Sequence, residues 1–438
     1  MENKRRNFLK LGGLTWLGIT GGGMLKGLAS AIGKDPSDTG LNGSNEFSAM
    51  SYQHPEKWNP SVIGQYGDWA NSFNKNKLPA LSFRRKEWTD PGTWRTAART
   101  RLYERLAIPD IGNMPEVSLV RQFAYDGLHI EELTWQLPYG RPTEAILLKP
   151  LNAKGRLPAI LAFHDHGGNK YFGTRKITRV SDKPHPLIIE HQKEYYEGLA
   201  WANEIARRGY VVLVPDAFPF ASRRVMMQDV PEHLRNGLND QDPENPDNIR
   251  AYNEWASNHE HTMAKSLFSA GTTWPGVFIA EDRKALDILC AREDVDPQRI
   301  GCGGLSGGGM RTIFTGGPDP RIKCAVCVGF MTTWEDLLLN KSFTHTWMTY
   351  VPLMPNELDL PEILGLRVPL PTLVLNNIAD ELFTLSEMKR ADDILKEVFK
   401  KAGAAGHYQC SFFEGPHKFD AKMQAEAFDW FDRWLKNS

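Results

Sequence analysis

A chain of 438 residues with 52 Lys+Arg against 53 Asp+Glu carries almost no net charge. That balance excludes a broad field able to draw nucleic acid or an anionic membrane, and it points to a small or neutral partner. The length suits one large α/β core with additions, and five cysteines, an odd number, imply no disulfide framework.

The chain opens on Lys4-Arg5-Arg6-Asn7-Phe8-Leu9-Lys10, continues through a mildly apolar, Gly-rich stretch from Leu11 to Leu28, and reaches small residues at cleavage spacing in Ala29-Ser30-Ala31. Residues 1–31 resemble a twin-arginine signal peptide, with Lys4 where Ser or Thr is usual. The resemblance implies a periplasmic or secreted protein handled by the twin-arginine translocation machinery. The alternative is a soluble amphipathic helix, which Gly12, Gly13, Gly18 and Gly21 to Gly23 would weaken. No later segment approaches the roughly 18 apolar residues of a membrane span, so none is expected after signal cleavage.

Residues 32 to 115 form a linker, polar and Gly/Ser-rich to about residue 50, and then a Trp- and Arg-rich extension. Within it Trp94 to Leu106 is the clearest helix. The extension lacks a core pattern of its own and is expected to pack on the main domain, 116–438.

From residue 121 strands alternate with helices, the rhythm of a mostly parallel sheet covered on both faces. Residues 129–137 and 143–149 read as an opening antiparallel pair, followed by a buried strand from Pro158 to Phe163. A helix over 193–208 precedes a strand at Tyr210 to Val214. Val277 to Ala291 is helical by the spacing of Val277, Ala280, Leu286 and Leu289, and a strand from Arg299 to Leu305 follows. Strands at 322–329, 371–376 and 408–413, a helix at 386–401 and a closing helix from 420 complete the order. Cys324 and Cys327 fall on one strand, where residues three apart face opposite sides, so they read as buried small side chains rather than a redox pair. Insertions at about 217–276 and 331–370 follow strand carboxyl ends, the edge where open α/β sheets bind ligands.

Gly304-Leu305-Ser306-Gly307-Gly308 lies between an apolar strand and a helix-like segment, the setting of a nucleophile elbow. A serine hydroxyl needs a base, and the base needs an orienting acid. Asp380 sits where a buried strand runs into a polar loop, with Glu381 as its substitute. His417 sits in the loop between the last strand and the last helix, whereas His407 precedes its strand and falls at the opposite edge. The N–H of Gly307 would face a developing oxyanion. A second donor would come from His164-Asp165-His166-Gly167-Gly168, through the backbone of His166 or Gly167. The His-x-His spacing has no third ligand or carboxylate at fixed spacing to complete a zinc site.

Together the elbow, the acid, the histidine and the His-Gly loop resemble the α/β-hydrolase superfamily over roughly 121–438. Within it, Val214-Pro215-Asp216-Ala217-Phe218-Pro219-Phe220 ahead of Arg223-Arg224 makes the chain similar to dienelactone-hydrolase-like proteins and acetyl xylan esterases. The resemblance implies the α/β-hydrolase fold with insertions over the active site, a Ser306–His417–Asp380 triad and acyl transfer to water without metal or organic cofactor.

Three departures narrow it. Dienelactone hydrolases carry cysteine where Ser306 stands, glucuronoyl esterases carry arginine where Gly307 stands, and prolyl-oligopeptidase-like enzymes place an aromatic there and add a propeller. An ester is thus favoured over a peptide, and the resemblance, together with export and the aromatic insertions, implies acetyl esters of carbohydrates as the substrates. Trp334 and Trp347, with Trp255 and Trp274 in the first insertion, are candidate platforms for sugar rings. A secreted peptidase and an idle carbohydrate-binding protein on the same fold are the alternatives.

Overall fold

The computed structural model describes residues 59–436. The signal-like segment 1–31 and the polar linker to residue 50 lie outside the described residues.

Nine strands among the described residues form one sheet in the order β1-β2-β3-β5-β4-β6-β7-β8-β9. They are β1 Val117–Tyr125, β2 Leu128–Trp135, β3 Thr143–Pro150, β4 Leu157–Phe163, β5 Val211–Pro215, β6 Val295–Leu305, β7 Ile322–Val328, β8 Thr372–Asn377 and β9 Tyr408–Phe413. β1, β2, β3 and β5 pair antiparallel, and from β5 through β9 every pairing is parallel. The parallel strands β4, β5, β7 and β8 are near-continuous apolar runs because helices cover both faces.

Two elements differ from the sequence expectation. The opening antiparallel pair is a three-stranded ribbon, since β1 precedes it as an edge strand whose side chains are mostly exposed, Leu119 and Val120 among them. With neither face buried, it carries no alternation to read. The single helix expected over 193–208 is two helices, Pro186–Tyr196 and Trp201–Arg207. Glu197 and Gly198 break it with positive φ of 57° and 81°, a reversal that Gly198 makes inexpensive.

The extension adds directly to the core. Helix Pro91–Leu106 begins at an Asp90 cap and buries Trp94, Ala98, Leu102 and Leu106 beside Phe83, on the same cluster as Phe278, Phe314 and Leu364. Cys324 and Cys327 face opposite clusters, and all five cysteines are free thiols. No helix among the described residues is long and apolar enough to cross a membrane.

Below the elbow, Arg311 of helix Gly307–Arg311 meets Asp282 of helix Trp274–Ala291 through two hydrogen bonds of 3.0 and 2.5 Å. Its guanidinium lies 4.3 Å from the centre of the Phe163 ring. Both partners are almost wholly buried, so removing the carboxylate strands a charge in a low-dielectric interior. Asp282→Ala is expected to lower unfolding stability by about 3–5 kcal/mol, read as an earlier midpoint in urea. A midpoint unchanged within error would show the pair to be dispensable.

Candidate active site

β4 sits between β5 and β6, so the connections leaving β4 and β5 travel to opposite sides of it. A crevice therefore opens at the carboxyl ends of β4 and β6. The register sets Phe163 beside Gly304, which brings the residues following each strand, His164 onward and Ser306 onward, face to face.

Ser306 adopts φ 58° and ψ −115°, a region that a non-glycine residue enters only when its surroundings force it. Its N–H donates to Val328 O at 2.8 Å, and the chain then turns straight into helix Gly307–Arg311. A side chain at Gly304 or Gly308 would run into the Phe163 carbonyl oxygen. The two glycines are what let strand, helix and β4 approach closely enough to hold the turn.

Asp380 and His417 leave the ends of the neighbouring strands β8 and β9. Their loops are tied by Ile378 N–H to Phe413 O (2.8 Å), Ala379 N–H to Gly415 O (3.1 Å) and Lys418 N–H to the Asn377 side-chain oxygen (3.2 Å). Asp380 Oδ2 accepts from His417 Nδ1 at 2.6 Å, and Oδ1 accepts the Leu382 N–H at 3.0 Å. Asp380 is 3% exposed, whereas the adjacent Glu381 is exposed, so the acid facing the imidazole is Asp380. That bond fixes the tautomer: Nδ1 carries the proton, and Nε2 holds a lone pair that is buried and meets no hydrogen-bond partner among the described residues. The imidazole lies over Gly329, where a Cβ would come within 2.9 Å of its Cε1 and 3.0 Å of the Leu305 side chain. Since Gly329 follows Val328, the residue bonded to Ser306, the base and the serine share one neighbourhood. Ser306 Oγ makes no hydrogen bond among the described residues.

The loop after β4 faces the elbow. A Cβ on Gly307 would lie 2.9 Å from the His166 backbone nitrogen, which singles out His166, of the two candidates, as the one whose N–H borders Gly307. Gly167 takes φ 50°, and a side chain there would strike His191 and Asp165. Gly307→Ala is therefore expected to push the His166 N–H aside and lower kcat by about 10- to 100-fold. Its melting temperature should fall as well, because the methyl meets backbone rather than a flexible side chain; an unchanged kcat would contradict this packing.

The loop's histidines are held by their neighbours. His164 Nε2 accepts the Ala217 N–H at 3.2 Å, so Nδ1 carries the proton and donates to Asp165 O at 3.0 Å. Burial, then Lys176 and Arg311, keep this ring neutral, well below the usual histidine range. His166 Nδ1 accepts the Gly168 N–H at 3.1 Å, leaving Nε2–H to donate to Glu260 Oε1 at 3.1 Å. Glu260 also accepts from Lys170 and from the Trp347 N–H at 3.2 Å. Burial would raise the Glu260 carboxyl, but His166 and Lys170 hold it well below the carboxylate range. With both lone pairs engaged by backbone N–H groups, the two histidines are posed to brace a loop rather than to ligate a metal. Glu260 joins both insertions to that loop, a role invisible in sequence because its partners lie 94, 90 and 87 residues away.

Of the proposed aromatic platforms, Trp334 is a core residue, 9% exposed, with its indole N–H bonded to Leu358 O at 3.0 Å. Trp255 and Trp274 are likewise buried, Trp255 stacked on His259. Trp347 alone of the four is open, at 40%. Arg223 is buried against Glu281, and Arg224 lies over the Tyr171 ring.

A cavity of about 770 Å³ lies beside β2 and β3, and none of Ser306, Asp380 or His417 lines it. Its Ser222 donates to Asp216 at 2.8 Å, and its His185 is occupied by Glu244 O and the Leu187 N–H. Lacking a nucleophile with a free base, it is a lateral hollow and not the reaction centre.

The sheet order, the strained turn after β6 and the acid and histidine after β8 and β9 define the α/β-hydrolase fold. No family model matches the chain. It is 26% identical over 309 residues to the "Putative hydrolase YtaP" of Bacillus subtilis, spanning 70% of this chain and 88% of that protein. Among solved structures, a "putative acetyl xylan esterase" from Bacteroides fragilis matches with a TM-score of 0.58 and 15% identity, over 79% of this chain and 81% of that one. A glucuronoyl esterase from Solibacter usitatus matches with a TM-score of 0.56 and 14% identity, over 81% and 97%. At these identities the structural likeness is one of fold.

Proposed function

We propose that this protein is a serine esterase that hydrolyses ester bonds through an acyl-enzyme on Ser306, with acetyl esters of carbohydrates as its substrate class. The observation that carries the reading is the 2.6 Å Asp380–His417 hydrogen bond, which leaves a bare Nε2 in the neighbourhood of the strained Ser306 turn.

In the proposed reaction His417 Nε2 takes the Ser306 proton as Oγ attacks the ester carbonyl. The N–H groups of Gly307 and His166 receive the oxyanion, and Asp380 stabilises the imidazolium. His417 returns the proton to the departing alcohol. It then deprotonates a water that releases the acid, and no metal or organic cofactor enters.

The carbohydrate assignment is supported by the acetyl xylan esterase and glucuronoyl esterase among the fold neighbours and by the open ring of Trp347, a flat apolar face for a sugar. Gly307 lacks the arginine found at this position in glucuronoyl esterases, which favours a general carbohydrate esterase. Export by the twin-arginine route, to periplasm or medium, rests on Arg5-Arg6 and the weakly apolar stretch behind them.

The test sets the mature protein and Ser306→Ala against 4-nitrophenyl acetate, acetylated xylan and a peptide amide. The reading predicts turnover of both acetyl esters, little of the amide, and none by the variant. Faster amide cleavage would instead make the chain a peptidase, and no turnover of any substrate would leave a binding protein on a hydrolase fold.

A further inference from the structure

We propose that Lys176, a residue the reaction above does not use, is a positioning residue that aims the oxyanion-binding N–H of His166. The inference rests on the serine-hydrolase reading and extends it to a part of the molecule outside the triad.

Lys176 closes the short 3-10 turn Thr174–Lys176 that follows the loop after β4, and its side chain is wholly buried. Its ammonium donates to Asp165 O at 2.8 Å and to His166 O at 2.9 Å. It therefore grips two successive peptide carbonyls of the very loop that borders the elbow. In a trans peptide the C=O of one residue and the N–H of the next point in opposite directions. Holding Asp165 O toward Lys176 thus turns the His166 N–H the other way, and that nitrogen is the atom 2.9 Å from where a Cβ on Gly307 would lie.

The grip is reinforced on every side. Asp165 O takes a second hydrogen bond, from His164 Nδ1, at 3.0 Å. The Asp165 carboxylate lies 3.8 Å from the ammonium and is itself fixed by His191 at 3.1 Å and by the Tyr196 hydroxyl at 2.5 Å. Phe220 packs under the ammonium at 4.7 Å from its ring centre, and edge-on against both His164 and His166. Two donors on one carbonyl polarise that peptide, so its N–H meets negative charge more strongly as well as from a fixed direction. A desolvated ammonium is costly to bury, and an uncharged side chain would fill the same space; what the charge adds is orientation of the two peptides.

Lys176→Met keeps the length of the stem and removes the donors, while Lys176→Gln keeps an N–H donor without the charge. Against a soluble acetyl ester, Lys176→Met is expected to lose kcat by about 10²- to 10³-fold with KM within about threefold, and Lys176→Gln to fall between it and the parent. A lysine that merely filled space would change stability and leave kcat of the folded variants intact, and that result overturns the proposal.

Ser306→Ala run alongside separates the two levels. Activity in Ser306→Ala would defeat the serine-hydrolase reading itself, whereas an inactive Ser306→Ala with a fully active Lys176→Met defeats only this inference. Should neither lysine variant fold, the parent enzyme is followed from about pH 7 to about pH 10. Burial pushes the Lys176 ammonium down to about 8, with Asp165 and Asp216 opposing that shift and Lys170 and Arg311 adding to it. The proposal then requires kcat to fall through about pH 8 at constant KM, and a flat kcat overturns it.

Discussion

Ser306→Ala should reduce kcat on an acetyl ester by about 10⁵- to 10⁶-fold while leaving KM within a few-fold and the melting temperature nearly unchanged. The magnitude follows from removing the atom that carries the acyl group in the proposed reaction: what remains is binding and oxyanion stabilisation of a direct water attack. The small structural effect follows from the backbone. Ser306 is held by its N–H on Val328 O and by Met310 N–H on its own carbonyl, and its Oγ bonds to nothing among the described residues. Alanine at φ 58° bears the same strain as serine, so the elbow keeps its shape. A variant that retained more than about a hundredth of the parental kcat would require another nucleophile.

Asp380→Asn should lower kcat by about 10⁴-fold, and again with little loss of stability. The asparagine can still accept the Leu382 N–H through its oxygen, which preserves the loop. What it presents to His417 is then an NH₂ group where a carboxylate oxygen stood 2.6 Å away. Two donors cannot face each other, so the ring must either move its proton to Nε2, ending its use as a base toward Ser306, or swing out of place. The imidazolium of the transition state also loses its counter-charge in a buried setting. Glu381→Gln, altering an exposed neighbour whose backbone carbonyl rather than carboxylate is engaged, by Lys341, is the matched control and should retain nearly full activity. The reverse ordering of the two variants would place the acid one residue later than the geometry does.

The placement of Ser306, Asp380 and His417 at one sheet edge was legible in the sequence because each follows an apolar run that ends abruptly in polar or small residues, and because the three occur in the order in which parallel strands deliver them to that edge. The helices Trp274–Ala291, Leu385–Lys401 and Ala421–Leu435 were legible for a similar local reason, their regular apolar spacing. Strand β1 was not, since an exposed edge strand has no buried face to impose alternation. Nor was the break at Glu197, although Pro186 at a helix start and Gly198 just past its end were signals that could have divided the helix.

Which tryptophans are open was not legible for a different reason. A Trp in a loop insertion looks the same in sequence whether its ring is open, like Trp347, or sealed in the core with its N–H satisfied, like Trp334 and Trp255. The supports of the His164–Gly168 loop were out of reach altogether. Lys176, His191, Tyr196 and Glu260 read as unremarkable polar residues, and only the fold brings them to Asp165 and His166. Catalytic groups have recognisable local settings, whereas the groups that hold them are recognised only by what they touch.

Acylation at the Ser306 Oγ is tested without reference to any natural substrate by covalent trapping. The mature protein is treated with a fluorophosphonate, digested, and mapped by mass spectrometry. One label per chain is expected, on the peptide carrying Ser306, absent from Ser306→Ala and strongly slowed in His417→Gln. A label on any other residue, or a Ser306 that stays unmodified in an enzyme still turning over acetyl esters, would contradict it.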